Sequence, residues 1–160
     1  MSSGMAVTSS MTVISRTAFD TNILIYSIDL SEKDKHAISK RIVGVCSDLG
    51  GPIALQCLNE FFRAVTRKSL LSSTDAARVV NESLEAFRVV AVNEADLIEA
   101  IEIHREHRFQ FFDCLILATA LRAGCTILFS EDFQHNYTVD GITIVNPFKL
   151  SESELDVLLA

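Results

Sequence analysis

The chain has 160 residues, 49% of them hydrophobic and 22% charged, which excludes a disordered polymer and a charge-rich coiled coil and fits one domain with its own core. Its net charge of −7 excludes a basic nucleic-acid coat, though not an enzyme that meets nucleic acid through a cation held in an acidic pocket. No apolar run reaches the roughly 18 residues that span a bilayer. The start, "MSSGMAVTSSMTVISR", has no hydrophobic signal core, so a cytoplasmic protein is expected.

Residues 1–12 read as a flexible tail and 13–160 as a single domain. The pattern predicts a strand over 13–19, interrupted by Ser15 and Arg16. Ser31 opens a helix to about Leu49, with Glu32 and Asp34 in its first turn and Gly50-Gly51 beyond its end. A short strand over 53–55 leads into a helix over 56–68, apolar at 58, 61, 62 and 65. Ser73 or Thr74 caps a helix to about Ala86, "FRVVAV" is a strand, and Asn93 caps a helix over 94–107. "FFDCLILATALRAG" is a helix apolar almost all round that stops at Gly124, and strands follow over 126–130 and 141–147. Strands separated by helices predict a three-layer α/β/α domain with a mostly parallel sheet. Cys46, Cys57, Cys114 and Cys125 sit among apolar neighbours with no C-x-x-C pair, as buried free thiols do.

Most of the 21 acids lie on polar helix faces, where solvation explains them. Four do not. Asp20 interrupts the apolar run "AFDTNILIYSID" at a strand end, where it could also be the N-cap of the next turn. Glu60 flanks the apolar stripe of its helix and could pair with Arg63. Asp113 is the only charge at the start of its helix and could complement the helix dipole; Asp132 follows the next strand and could be a turn residue. In an open parallel sheet the carboxyl ends of the strands face one side, where ligands gather. Four carboxylates brought there repel one another unless a cation joins them, and a hard divalent ion, Mg2+ or Mn2+, suits oxygen donors.

At these residues the chain resembles the PIN domain family, in particular its VapC-like toxin ribonucleases. The likeness runs over residues 16–149 through "AFDTNILIYSID", "ALQCLNEFFRAVTRK", "FFDCLILATALRAGC" and "LFSEDFQHNYTVDGITIVNPF". It implies that Asp20, Glu60, Asp113 and Asp132 are catalytic, with Asp20, Asp113 and Asp132 holding the metal. Thr21 and Asn22 would orient Asp20, Ser130 would act beside Asp132, and Glu131 would be an outer acid or a surface residue. Asn136 stands where the family often has Gly, and Cys114 where Ala is common.

The resemblance implies hydrolysis of RNA phosphodiester bonds, leaving a 5′ phosphate and a 3′ hydroxyl. It also implies a homodimer and a small antitoxin partner. Arg63, Arg67 and Lys68 are candidates for holding phosphates beside the cut, or else form a solvated helix face. His104 and His107 form an H-x-x-H pair better explained by a polar helix face than by metal, and a surface turn accounts for His135. Two other readings remain open. A catalytically silent PIN-like binding module would keep the fold without the chemistry. A receiver-like signalling domain would want an acidic pair after the first strand and a lysine ending the last; here the adjacent acids are Glu131 and Asp132, and Asn146 precedes Pro147.

Overall fold

The computed structural model describes residues 16–160. The elements run β1 (Thr17–Phe19), α1 (Thr21–Tyr26), α2 (Lys33–Asp48), β2 (Pro52–Ala54), α3 (Leu55–Arg67), α4 (Ser73–Ala86) and β3 (Arg88–Val90). They continue with α5 (Glu94–His107), α6 (Phe111–Arg122), β4 (Ile127–Phe129), β5 (Tyr137–Val139), β6 (Ile142–Val145), a single 3-10 turn and α7 (Glu152–Leu159). The fold is mixed α/β with mostly parallel strands flanked by helices, as expected. The tail over 1–12 and the first part of the strand predicted from residue 13 lie outside the described residues. No described helix is long and apolar enough to cross a membrane.

The sheet differs from the expectation in being split. One sheet has the order β1-β4-β6-β5, with β1, β4 and β6 parallel, and β2 pairs with β3 in a separate parallel pair beside β1. Strand β5 is antiparallel to β6, joined through Asp140 and Gly141, both at positive φ (48° and 92°). This is the two-residue hairpin that Asp-Gly favours, because its handedness matches the twist of the strands. The strand expected over 141–147 is thus the second arm of a hairpin whose first arm, Tyr137–Val139, was not expected. Nor was α7, although Ser151 and Glu154 form a capping box there.

Local chemistry fixes the other boundaries. The cap of α4 is Ser72, one residue before the expected position; its hydroxyl accepts from the Asp75 amide. Asn93 and Asp96 close a capping box on α5, as Asn93 promised. Helix α6 ends where Gly124 takes φ +82°, which lets the Cys125 amide bond back to the Ala120 carbonyl (3.0 Å).

The core lies between the strands and helices, with Phe19, Phe61, Phe129, Ile23, Leu117 and Leu128 almost fully buried. All of β1 is buried, as a parallel strand covered on both faces must be. The four cysteines are free and buried. Burial pushes the thiol of Cys46 up to about 12 and those of Cys114 and Cys125 to about 11, so all stay protonated near neutrality.

One ion pair fastens α6 to α5. Arg122 donates from Nε (2.7 Å) and Nη2 (2.8 Å) to the two oxygens of Asp96, and from Nη2 to the Ala91 carbonyl. Asp96 is 2% exposed, so removing its partner strands a charge. Arg122→Leu is expected to destabilise by roughly 2–4 kcal/mol, seen as a melting temperature lower by about 5–15 °C at neutral pH. An unchanged melt would show that solvent already compensates Asp96.

Candidate active site

The parallel register builds the site. Phe19 is paired with Phe129, so the residues that follow, Asp20 and Ser130, leave adjacent strands side by side. The Asp20 amide donates to the Phe129 carbonyl (3.1 Å), and the Ser130 amide to the Val145 carbonyl of β6 (3.0 Å). Asp20 is the N-cap of α1: its Oδ1 accepts from the Ile23 amide (3.3 Å), while Oδ2 accepts from the Ser130 hydroxyl. The capping reading of Asp20 therefore holds for one carboxylate oxygen, while the other faces Ser130.

Asp20, Glu60, Asp113 and Asp132 come from four separate segments and line one cavity of about 190 Å3, with Thr21, Asn22, Gln110 and Ile116. Glu60 accepts from the Thr21 hydroxyl (2.8 Å) and the Gln56 amide (2.7 Å), not from Arg63. Asn22 donates to Asp132 (3.0 Å), and the Ser130 hydroxyl accepts from the Asp132 amide (3.1 Å). The expected partners are thus exchanged. Thr21 serves Glu60, Asn22 serves Asp132, and Ser130 bridges Asp20 to the Asp132 backbone. The reason is helical: residues following a cap turn successively to different walls of the cavity. Glu131 points elsewhere. It accepts from Tyr26 and from Lys35 (2.7 Å), and the Lys35 ammonium lies over the Tyr26 ring.

The electrostatics are those of unneutralised acid. Burial, with Asp132 and Asp113 nearby, raises Asp20 to about 7 against the pull of its Ser130 and Ile23 hydrogen bonds. Burial and the carboxylates of Asp132 and Glu60 raise Asp113 to about 6. Asp132, at the mouth, is raised by partial desolvation and by Glu131, against the Asn22 bond. None of the four forms an ion pair with a described Lys, Arg or His.

This donor set, all oxygen, anionic and lacking counter-charge, suits a hard divalent cation. Among the described residues, no three His, Cys, Asp or Glu side chains stand close enough to hold a metal ion as they are. Three of the four acids are instead tied to hydrogen-bond partners round the wall, Glu60 to Thr21 and Gln56, Asp132 to Asn22, and Asp20 to Ser130 and Ile23.

A wider groove of about 500 Å3 opens from the same pocket, sharing Thr21, Asn22, Glu60, Gln110 and Asp113 with it. Arg63 and Lys68 line it; Arg67 does not. The histidines do other work: His104 meets the Phe109 carbonyl (2.6 Å), His107 meets the Tyr137 hydroxyl (2.8 Å), and His135 accepts from the Asn146 amide (3.0 Å). Asn136 takes φ +62°, the left-handed conformation its amide side chain tolerates. Sequence reasoning missed Gln56, Gln110 and Phe112, which line or brace the site without carrying charge.

Among solved structures, the chain is similar to a toxin–antitoxin complex from Klebsiella pneumoniae (TM-score 0.61, 20% identity, covering 84% of this chain and 99% of that one). It is also similar to VapC20 of Mycobacterium tuberculosis, a toxin that cleaves the sarcin–ricin loop (TM-score 0.58, 18% identity, covering 72% of this chain and 91% of that one). No curated protein sequence matches it. The profile of the PIN domain matches residues 18–138, a span that holds β1 with Asp20, the helices of Glu60 and Asp113, and Asp132 after β4; the chain belongs to the PIN domain family.

Proposed function

We propose that this chain is a Mg2+- or Mn2+-dependent endoribonuclease, the toxin of a type II toxin–antitoxin pair, working in the cytoplasm as a homodimer beside a small antitoxin. The observation that carries the reading is the meeting of four carboxylates from four segments on one cavity wall, two of them raised to about 6 and 7. The similar Klebsiella and Mycobacterium proteins, a toxin–antitoxin complex and an RNA-cleaving toxin, support the biological setting.

In this reading Asp20, Asp113 and Asp132 would hold the cation, which would supply Lewis-acid stabilisation of charge developing on the phosphate. Ser130 and Asn22 keep Asp20 and Asp132 aimed inward. Glu60, fixed by Thr21 and Gln56, takes the proton of the attacking water at a carboxylate oxygen. The water oxygen bonds to phosphorus in line, the bond to the 3′ oxygen breaks, and that oxygen is protonated by solvent. The products are a 5′ phosphate and a 3′ hydroxyl.

Incubating purified protein with total cellular RNA tests this. Cleavage is expected with Mg2+ or Mn2+ and none in EDTA. Cleavage that survives EDTA removes the metal, and RNA binding without cleavage at any metal concentration identifies a silent binding module. Expression of the chain alone is expected to arrest growth, and co-expression of its antitoxin to restore it.

A further inference from the structure

The groove leading from the acid pocket carries groups unlike those of the pocket. Phe112, Arg63, Lys68 and Gln110 line it. Phe112 is 57% exposed, although it is the second residue of a helix whose remaining length is largely buried. Nothing in the packing of α6 requires an aromatic ring there. Its backbone is fixed: the Phe112 carbonyl accepts from the Gln56 amide (3.1 Å), and the same amide group donates to Glu60. The edge of Phe111, 5.5 Å away at 67°, limits the swing of the ring.

The cations are equally suggestive. Lys35, Arg41, Arg78, Arg105 and Arg122 pair with acids; among the described cations that do not, Arg63 and Lys68 are the two that line this groove. The Arg63 side chain has no ion pair or hydrogen bond to another described residue, and Lys68 has an electrostatic attraction to Asp29 but no ion pair. The Gln110 amide is likewise without a hydrogen-bond partner among the described residues. A π face, two available cations and a free amide, set beside carboxylates suited to a cation, are what a single unstacked nucleotide offers partners for: a base face, phosphates and a base edge.

We propose that this groove seats one unpaired nucleotide adjoining the cut, its base stacked on Phe112 and its phosphate held by Arg63 and Lys68. A base inside a duplex keeps both faces covered by its neighbours and cannot stack there, so Phe112 makes the substrate single-stranded at that position. The proposal rests on the nuclease reading and adds to it the side chain that sets the strand requirement.

Fluorescence anisotropy of a short labelled RNA of mixed sequence, titrated with the full chain in Ca2+, tests the seat without needing cleavage. Phe112→Ala is expected to weaken single-strand binding about fivefold to a hundredfold, and Phe112→Tyr to keep wild-type affinity. The same RNA annealed to its complement is expected to bind weakly to all three proteins. Arg63→Gln is expected to reduce the slope of log affinity against log salt by about 0.7, while Phe112→Ala leaves that slope unchanged. Wild-type affinity in Phe112→Ala, or equal affinity for the duplex, overturns the seat. The nuclease reading fails separately. A wild type that cuts no RNA in Mg2+, combined with the Phe112→Ala binding loss, keeps the seat and removes the nuclease. Metal-dependent cutting with unchanged Phe112→Ala binding does the reverse.

Discussion

Purified Asp113→Asn protein is expected to cleave RNA at least about a thousandfold more slowly than wild type while melting no lower. Under the proposed function, the size of the loss follows from removing a charge that would hold the cation, a cation in such a site being worth several kcal/mol of transition-state stabilisation. The intact fold follows from local structure. Asp113 lies in the first turn of α6, and its carboxylate accepts no hydrogen bond from a described residue, so an amide of the same shape breaks no contact. It also relieves the repulsion that raises Asp113 to about 6. Steady-state cleavage of a mapped RNA site, with a thermal melt of the same preparation, checks both halves. Wild-type cleavage by this variant would remove Asp113 from the site.

Asp20 gives the second large effect, and its sign is unusual. In the unfolded chain its carboxyl ionises near 3.8, whereas in the fold it holds its proton to about 7. Between those values the folded state binds more protons, so the metal-free protein loses stability as pH rises through the window and regains none above it. Holding a proton from about pH 4 to about pH 7 corresponds to on the order of 4 kcal/mol. Asp20→Asn has no proton to hold. Asn can accept from the Ile23 amide as Asp does, and it caps helices about as well. In EDTA the variant is therefore expected to melt alongside wild type near pH 4 and roughly 5–15 °C above it at pH 8. Mg2+ or Mn2+ should reverse the order, adding about 2.7 kcal/mol to wild type at a hundredfold excess over Kd and much less to the variant. Two proteins that melt alike at every pH, with or without metal, would reduce Asp20 to a helix cap.

The residues of the site were legible because their chemistry clashes with their surroundings. Asp20 stands out in "AFDTNILIYSID", and Asp113 is the only acid of a largely apolar helix. What each side chain touches was not legible. Thr21 and Asn22 are neighbours in sequence, yet they reach Glu60 and Asp132, 39 and 110 residues away. The local pattern gives the face of a helix, not the partner across a cavity. Gln110 and Phe112 went unread because neither a neutral amide nor a phenyl ring beside apolar residues departs from an ordinary helix start. Strand β5 is a different case. Its signal, Asp140-Gly141 between Tyr137–Val139 and Ile142–Val145, is in the sequence, and the bias toward alternating strands and helices passed over it. The split between the two sheets has no local signal, since it depends on how β1 and β2 meet.

The bond from the Ser130 amide to the Val145 carbonyl has a consequence for when the pocket is completed. During synthesis, Asp20 leaves the ribosome long before Ser130, and Ser130 has no β6 to lie against until residues 142–145 emerge. A nascent or prematurely released chain ending before β6 carries every acid of the pocket but lacks the strand that holds Ser130 and β4 in place. On the proposed toxin function, such a fragment should be harmless to the cell that makes it. Nonsense mutations between Asp132 and Ile142 would then spare growth as completely as loss of the whole reading frame.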